Sequence, residues 1–297
     1  MKSVRLMILG VFLAMLFTSV FAADRFTIYT VNYPLAYFAE RIGGEQVKVV
    51  FPAPDDIDPA YWMPDQKIIA AYQKADLILL NGANYAKWVG KVSLPRSRMV
   101  DTSRKFKDRY VVTKDISTHS HGAKGTHAHE SLAFTTWLDF SLAAEQARAV
   151  ADALGRKRPA LKKEFNMNFE SLKKDLLLLD TEIRRIASRA QGMPLIASHP
   201  VYDYLARRYD LNLKSLHWEP DEVLGHGQLA ELRKLREAHP ATLMIWEGEP
   251  LQESLDELSS MGIKGLVFSP CANTPDRGDF LTVMKDNLKG LQNAFMN

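Results

Sequence analysis

The chain has 297 residues, a formal net charge of +3 and one cysteine, Cys271. The charge falls to about +1 when Lys2 and Arg5 of the first segment are set aside, which argues against nucleic acid or an acidic membrane as a partner. A single thiol excludes an internal disulfide, so the fold must be stabilised by its apolar core.

The first 22 residues have the pattern of a cleavable secretory signal. Lys2 and Arg5 precede an apolar run over 6–20, and small residues follow at the end of the segment. The run is shorter than the roughly 20 residues that cross a bilayer. No cysteine stands directly after the predicted cleavage site, so we expect a soluble periplasmic protein without a lipid anchor. We also expect a monomer.

After the signal, short β-branched and apolar runs alternate with helical patterns in two stretches of the chain. The runs that we predict to be strands are 26–32, 47–53, 76–82, 98–103, 193–199, 211–217, 242–248 and 265–270. This alternation predicts an α/β fold with two four-stranded, mainly parallel β/α lobes.

A long helical pattern separates the two stretches. Apolar residues recur at spacings of three and four at Leu161, Phe165, Phe169, Leu172, Leu176, Leu179, Ile183 and Ile186. One helix of about thirty residues would be a rod of roughly 45 Å, long enough to span both lobes. We therefore predict an N-terminal lobe over 23–156, a linking helix over 157–190 and a C-terminal lobe over 191–297. The alternative is two helices broken near Asn166 or Asn168.

A histidine-rich segment, 118–130, lies between the fourth predicted strand and a helix that is predicted to begin near Asp139. It holds half of the chain's eight histidines, at His119, His121, His127 and His129. Neutral imidazoles at this density can gather a transition-metal ion. We expect an accessory site that is weaker than a rigid one, because the segment must become ordered on binding. The alternative is a solvated linker.

Several motifs in the same order resemble one family. They are 31–50, 56–89, 136–154, 197–211, "MIWEGEP" and "FSP". Together they resemble the periplasmic solute-binding proteins of zinc and manganese ABC importers. The resemblance implies two lobes with a metal ion in the cleft between them, zinc as the expected cargo, manganese or another divalent ion as alternatives, and an ABC permease as partner.

The resemblance also implies four ligand positions, and this chain departs from the family at three of them. The position of the first histidine holds Ala60, that of the second holds Thr135, and that of the usual aspartate near the last strand holds Ser269. Only His199, in "SHP", keeps a metal donor. The zinc members of the family carry a histidine-rich loop at the place of 118–130.

Three interpretations of the cleft remain open. In the first, it binds a divalent ion through His199 and replacement donors, with Glu247 the foremost candidate among Asp58, His217, Glu219, His226 and Glu247. In the second, it binds a metal chelate or another small solute against Tyr61, Trp62, Trp137 and Trp246. In the third, the protein has a structural, adhesive or metal-storage role. His199 and Glu247 could instead cap helices that follow them.

An enzymatic function finds little support in the sequence. There is no Gly-x-Ser-x-Gly elbow, no phosphate-binding Gly-x-x-x-x-Gly-Lys and no His-Glu-x-x-His motif. "GHGQLA" (225–230) resembles a dinucleotide fingerprint, but it does not directly follow a strand, so we predict that it begins a helix. The sequence therefore predicts a binding protein.

Overall fold

The computed structural model describes residues 25–113 and 131–296. A four-stranded parallel sheet forms the N-terminal lobe, in the order β2-β1-β3-β4. Its strands are β1 (Phe26–Thr30), β2 (Val47–Val50), β3 (Leu77–Leu80) and β4 (Met99–Asp101). Leu77, Ile78 and Leu79 of the inner strand β3 are fully buried, as expected for a parallel strand that is covered on both faces.

Two short strands, β5 (Val112–Thr113) and β6 (Ser131–Leu132), form an antiparallel pair that the sequence did not predict. The second parallel sheet follows, in the order β10-β9-β7-β8. Its strands are β7 (Leu195–Ala197), β8 (Leu213–Ser215), β9 (Leu243–Trp246) and β10 (Lys264–Val267). The eight predicted strands and the two-lobed α/β fold class are confirmed.

In the described part of the chain, eight α-helices connect and cover the sheets. They are α1 (Tyr33–Gly43), α2 (Gln66–Lys74), α3 (Phe140–Lys157), α4 (Lys162–Ala187), α5 (Asp203–Tyr209), α6 (His226–Ala238), α7 (Gln252–Ser260) and α8 (Phe280–Met296). Polar side chains start several of them. Asn32 accepts a hydrogen bond from Leu35 N at the start of α1, and Asp139 accepts from Ser141 N and Leu142 N at the start of α3.

Helix α4 is the predicted linking helix. It runs without interruption through Asn166 and Asn168 for 26 residues, with a short 3-10 segment at each end. The predicted apolar face is buried at Phe165, Phe169, Leu172, Leu176, Leu179, Ile183 and Ile186. At 1.5 Å per residue the helix is about 39 Å long, and it packs against α1, α3, α5 and α8. It thereby contacts helices of both lobes.

The main apolar core is continuous through both lobes and α4. It includes Ile28 and Leu79 of the first sheet, Leu172 of α4, and Leu195 and Ile245 of the second sheet. A second cluster around Trp218 and Trp246 lies within the C-terminal lobe. Within 25–113 and 131–296, no helix combines the length and the apolar character of a membrane span.

Candidate metal site in the interlobe cleft

A cleft of about 730 Å³ lies between the two lobes. Its N-terminal wall comes from the loop after β2, from Tyr85 after β3, and from Phe134 and Thr135. Its C-terminal wall comes from the segments that follow β7, β8, β9 and β10. The carboxyl ends of parallel strands share one edge of a sheet, which is where α/β folds bind ligands.

Three metal-binding side chains meet on the C-terminal wall. His199 lies two residues after β7, Glu219 follows β8, and Glu247 directly follows β9. One ligand atom from each lies within 4.8 Å of the others, and His199 Nδ1 is 3.5 Å from Glu219 Oε1. Donors that share a zinc ion at roughly 2.0–2.2 Å lie about 3–4 Å apart. Small side-chain rotations can therefore bring the three donors onto one ion.

The cleft is strongly acidic. Seven carboxylate residues line it, and none of its described lining residues is Lys or Arg; the seven are Asp55, Asp56, Asp58, Glu219, Glu247, Glu249 and Asp276. Lys87, whose Nζ stands over the Tyr61 ring, offsets part of this charge at Asp58. The remaining excess of negative charge on the walls concentrates cations in the cleft. The charge pattern therefore fits a cation and disfavours an anionic chelate.

Glu247 is the most perturbed of these carboxyls. Burial raises the pKa of Glu247 to about 7, and the negative charges of Glu219 and Asp58 contribute to the shift. The pKa of Asp58 is also raised, first by burial and then by Glu219, while Ala60 N and His199 act in the opposite direction. Asp58 thus interacts electrostatically with the cluster from the N-terminal wall, but it is not one of the three residues whose donor atoms lie within 4.8 Å of one another.

The three departures from the family pattern have structural roles. Ala60 is buried, and its N–H donates to Asp58 Oδ1 at 2.8 Å. Thr135 Oγ1 donates to Val201 O at 2.5 Å, a hydrogen bond between the lobes. Ser269 Oγ accepts from Cys271 N, and the backbone of Ser269 pairs with the Asn287 side chain. None of the three belongs to the cluster of His199, Glu219 and Glu247.

Of the other predicted donors, one lies near the cluster around His199 and one lies away from the cleft. The His217 ring is exposed and stands 5.9 Å from the His199 ring, between centroids. His226 is exposed at the first position of α6 and does not line the cleft, which corrects its inclusion among the cleft donors. Neither His199 nor Glu247 caps a helix, because α5 and α7 begin after Tyr202 and Leu251 without side-chain caps. The glycine-flanked start of α6 is confirmed.

The aromatic platform expected for another solute is only partly present. Trp137 and Trp246 are fully buried in the core, and Trp137 Nε1 donates to Pro270 O at 2.8 Å, so neither can stack on a solute. Trp62 is half-buried and does not line the cleft. Tyr61 does line the cleft, with Lys87 Nζ 4.4 Å from its ring centroid.

Tyr85 is a cleft residue that the sequence analysis missed. Its side chain is 1% exposed, and no described residue provides a hydrogen-bond partner for its hydroxyl. A buried, unsatisfied hydroxyl costs about 1–3 kcal/mol. The only signal in the sequence was the glycine at position 82, the last residue of a predicted strand. A glycine there does not reveal which way the next side chains point.

The predicted signal segment, 1–22, and the histidine-rich segment, 118–130, lie outside the described residues. The pairing of Val112 with Leu132 nevertheless places the two ends of the intervening chain side by side. Phe134 and Thr135, just after β6, line the cleft. The chain therefore leaves and re-enters the described structure close to the cleft.

Two β/α lobes, a long helix that packs against both, and a cleft lined by the carboxyl ends of the strands define a bilobal solute-binding protein. The sequence model of the family "Zinc-uptake complex component A periplasmic" matches residues 28–294. The chain belongs to this family.

Known proteins with similar sequences include two that are named for zinc binding or zinc uptake. The zinc-binding lipoprotein AdcA of Streptococcus pneumoniae is 25% identical over 283 residues, which cover 91% of this chain and 56% of AdcA. The high-affinity zinc uptake system protein ZnuA of Bacillus subtilis is 24% identical over 290 residues, covering 92% of this chain and 88% of ZnuA. The chain thus spans little more than half the length of AdcA.

The fold is also that of a solved structure. The Zn(II)-bound ZnuA-like domain of Streptococcus pneumoniae AdcA superposes with a TM-score of 0.76 at 21% identity, covering 92% of this chain and 100% of that domain. At this identity the likeness establishes the architecture, and the ligands of the cleft must be argued from the residues of this chain.

Proposed function

We propose that this chain is the periplasmic solute-binding component of a metal ABC importer. It captures a divalent cation, zinc in the first place, and delivers it to a membrane permease. The observation that carries the proposal is the convergence of His199, Glu219 and Glu247, with one donor atom from each within 4.8 Å of the others. The zinc-binding relatives AdcA and ZnuA support zinc as the cargo. No catalysis is proposed.

The donor set accommodates zinc and also other divalent ions. One imidazole nitrogen and two or three carboxylate oxygens are ligands of zinc, and carboxylates equally suit manganese. The acidic lining, without Lys or Arg among its described residues, favours a bare or hydrated cation over an anionic complex. We therefore place a divalent ion, rather than a chelate, in the cleft.

We further propose that residues 1–22 act as an export signal and that His119, His121, His127 and His129 form an accessory metal-binding site beside the cleft. We also propose a monomer, and the near-neutral charge gives no reason to expect a nucleic-acid partner.

The test measures the zinc content and zinc affinity of the purified protein and of variants. We expect one tightly held equivalent per chain, and a loss of affinity of more than about 100-fold in His199→Ala and Glu247→Gln, because each removes a direct ligand. Glu249→Gln is the matched control: Glu249 lines the same cleft but lies outside the three-residue cluster. Deletion of residues 118–130 should remove only additional, weaker equivalents.

Wild-type zinc affinity in both His199→Ala and Glu247→Gln would contradict the cleft site. If the deletion alone abolished binding, the metal would belong to the histidine-rich segment and the cleft to another solute. The affinity for manganese, measured in the same series, identifies the better cargo.

A further inference from the structure

Tyr85 stands in the cleft on a wall of fixed aromatic rings. Its ring makes edge-to-face contacts with Phe134, at 5.3 Å between centroids, and with Trp137, at 5.6 Å. Trp137 is itself held by its hydrogen bond to Pro270 O. Edge-to-face packing on two sides restricts the ring. The position of the hydroxyl is therefore set by the core and not by solvent.

The backbone before Tyr85 is unusual. Gly82, Ala83 and Asn84 have φ values of +78°, +47° and +60°, so three successive residues lie in the left-handed region. A Cβ at position 82 would overlap Ser103 Oγ, and the turn closes through a hydrogen bond from Tyr85 N to Gly82 O at 3.1 Å. Strained backbone that is held in this way occurs preferentially at functional sites. Here it directs Tyr85 from the end of β3 into the cleft.

The Tyr85 hydroxyl can act only as a neutral group. Burial raises its pKa well above the ordinary value, and the nearby charge of Asp58 and the neighbouring Tyr61 add to the shift. The phenol therefore keeps its proton and can donate it to an acceptor oxygen. No described residue accepts that hydrogen bond. The cleft that it lines also contains Asp58, His199, Glu219 and Glu247.

We propose that Tyr85 is a positioning residue for the cargo: its hydroxyl donates a hydrogen bond to an oxygen that is coordinated to the bound cation. This inference rests on the proposed function. The oxygen has two possible sources, a water molecule that the cation retains or the Asp58 carboxylate. Both are polarised by the cation, and an orienting hydrogen bond to such an oxygen strengthens metal binding. A cleft of about 730 Å³ has room for an ion that retains water.

The test is Tyr85→Phe, which removes the hydroxyl and keeps the ring. We expect the affinity for Zn²⁺, measured by competition with a chromophoric chelator, to fall about ten-fold. The Tm of the metal-free variant should stay equal to that of the wild type or rise, because no described residue is a hydrogen-bond partner that the hydroxyl could lose. The rise in Tm that Zn²⁺ produces should become smaller.

Tyr72→Phe is the matched control. Tyr72 is also fully buried, but its hydroxyl donates to Thr30 O at 2.7 Å and it does not line the cleft. This variant should lower Tm equally with and without zinc and leave the affinity unchanged. Combining Tyr85→Phe with Asp58→Asn identifies the acceptor: additive losses indicate a metal-bound water, and non-additive losses indicate the Asp58 carboxylate.

An unchanged zinc affinity in Tyr85→Phe, in a preparation where His199→Ala loses the ion, would overturn this inference and leave the proposed function intact. A wild-type affinity in His199→Ala would instead overturn the cleft site itself, and the role of Tyr85 with it.

Discussion

At the scale of single residues, the cleft is built around an acid that is costly to ionise. Glu247 directly follows the buried strand β9, and burial together with the charges of Glu219 and Asp58 raises its pKa to about 7. A carboxylate whose ionised form is unfavourable without a cation nearby is stabilised most when a cation binds beside it. The same position would be unfavourable in a protein with no positive ligand to bind.

The raised pKa predicts a pH dependence of stability in the metal-free protein. The folded state holds the Glu247 proton more tightly than the unfolded state, whose value is near 4.5. The stability contribution is therefore fully present below pH 4.5 and is lost as the pH rises through about 7. Relative to Glu247→Gln, the free energy of unfolding of the wild type should fall by up to about 3 kcal/mol across this pH range.

Urea unfolding in the presence of a chelator, at a series of pH values, measures this difference. Zinc at saturating concentration should reverse its sign, since the ion favours the ionised carboxylate. A difference between wild type and Glu247→Gln that does not change with pH would show that Glu247 is not perturbed as described.

At the scale of elements, the turn between β3 and the segment that begins at Lys87 has a strained backbone, and it directs Tyr85 into the cleft. Ala83 is buried and Asn84 is exposed, yet both have positive φ. Asn tolerates the left-handed region better than other residues with a Cβ, and Gly does so best. The residue at position 84 is therefore chosen by backbone conformation and not by packing.

Replacing Asn84 with Val should destabilise the protein by about 1–2 kcal/mol, because a β-branched side chain is disfavoured at positive φ. Asn84→Gly, the control at the same position, should change stability by no more than a few tenths of a kcal/mol. Chemical denaturation measures both. If Val is tolerated as well as Gly, the turn does not keep its left-handed conformation in solution.

At the scale of the whole molecule, one buried carboxylate links three parts of the structure. Asp180 of α4 accepts hydrogen bonds from Arg208 and Tyr209 of α5, each at 3.0 Å. Arg208 also lies 3.5 Å from Asp139, which caps α3. Direct contacts between the lobes, such as Asn273 Nδ2 to Ile57 O at 2.9 Å, add to this link. We infer that the lobes move little relative to each other when cargo binds.

Asp180→Asn tests this link. Burial opposes ionisation of Asp180, but hydrogen bonds from Arg208, Arg184 and Tyr209 outweigh it and lower the pKa below 3.8. The contribution of the carboxylate is therefore present above pH 3.8 and is lost as the pH falls through the folded-state pKa. We expect Asp180→Asn to lower the free energy of unfolding by about 2 kcal/mol at neutral pH and by less at acidic pH.

Asp175→Asn is the control on the same helix. Asp175 pairs with Arg41 at 2.8 Å with both side chains about one third exposed, so its replacement should cost less than about 1 kcal/mol. Equal losses for the two variants in urea unfolding at neutral pH would refute a special role for Asp180.

The sequence by itself determined the architecture. The positions of the eight strands, the unbroken α4 and its buried face follow from local periodicity, because each pattern reports which side of an element avoids water. His199 and Glu247 could be named as candidates because each follows an apolar strand, and strand ends in a parallel sheet share one edge. Ala60, Thr135 and Ser269 could be recognised as unsuitable donors from their chemistry alone.

Only the tertiary structure decided which side chains meet. Glu219 joined His199 and Glu247 through the sheet order β10-β9-β7-β8, which no local pattern encodes. His226, equally plausible as a donor by residue type, lies at the start of α6 away from the cleft. Trp137 faces the core and Tyr85 faces the cleft because of how the two lobes pack. Contacts between residues far apart in the chain depend on this packing, and hydrophobic periodicity carries no information about them.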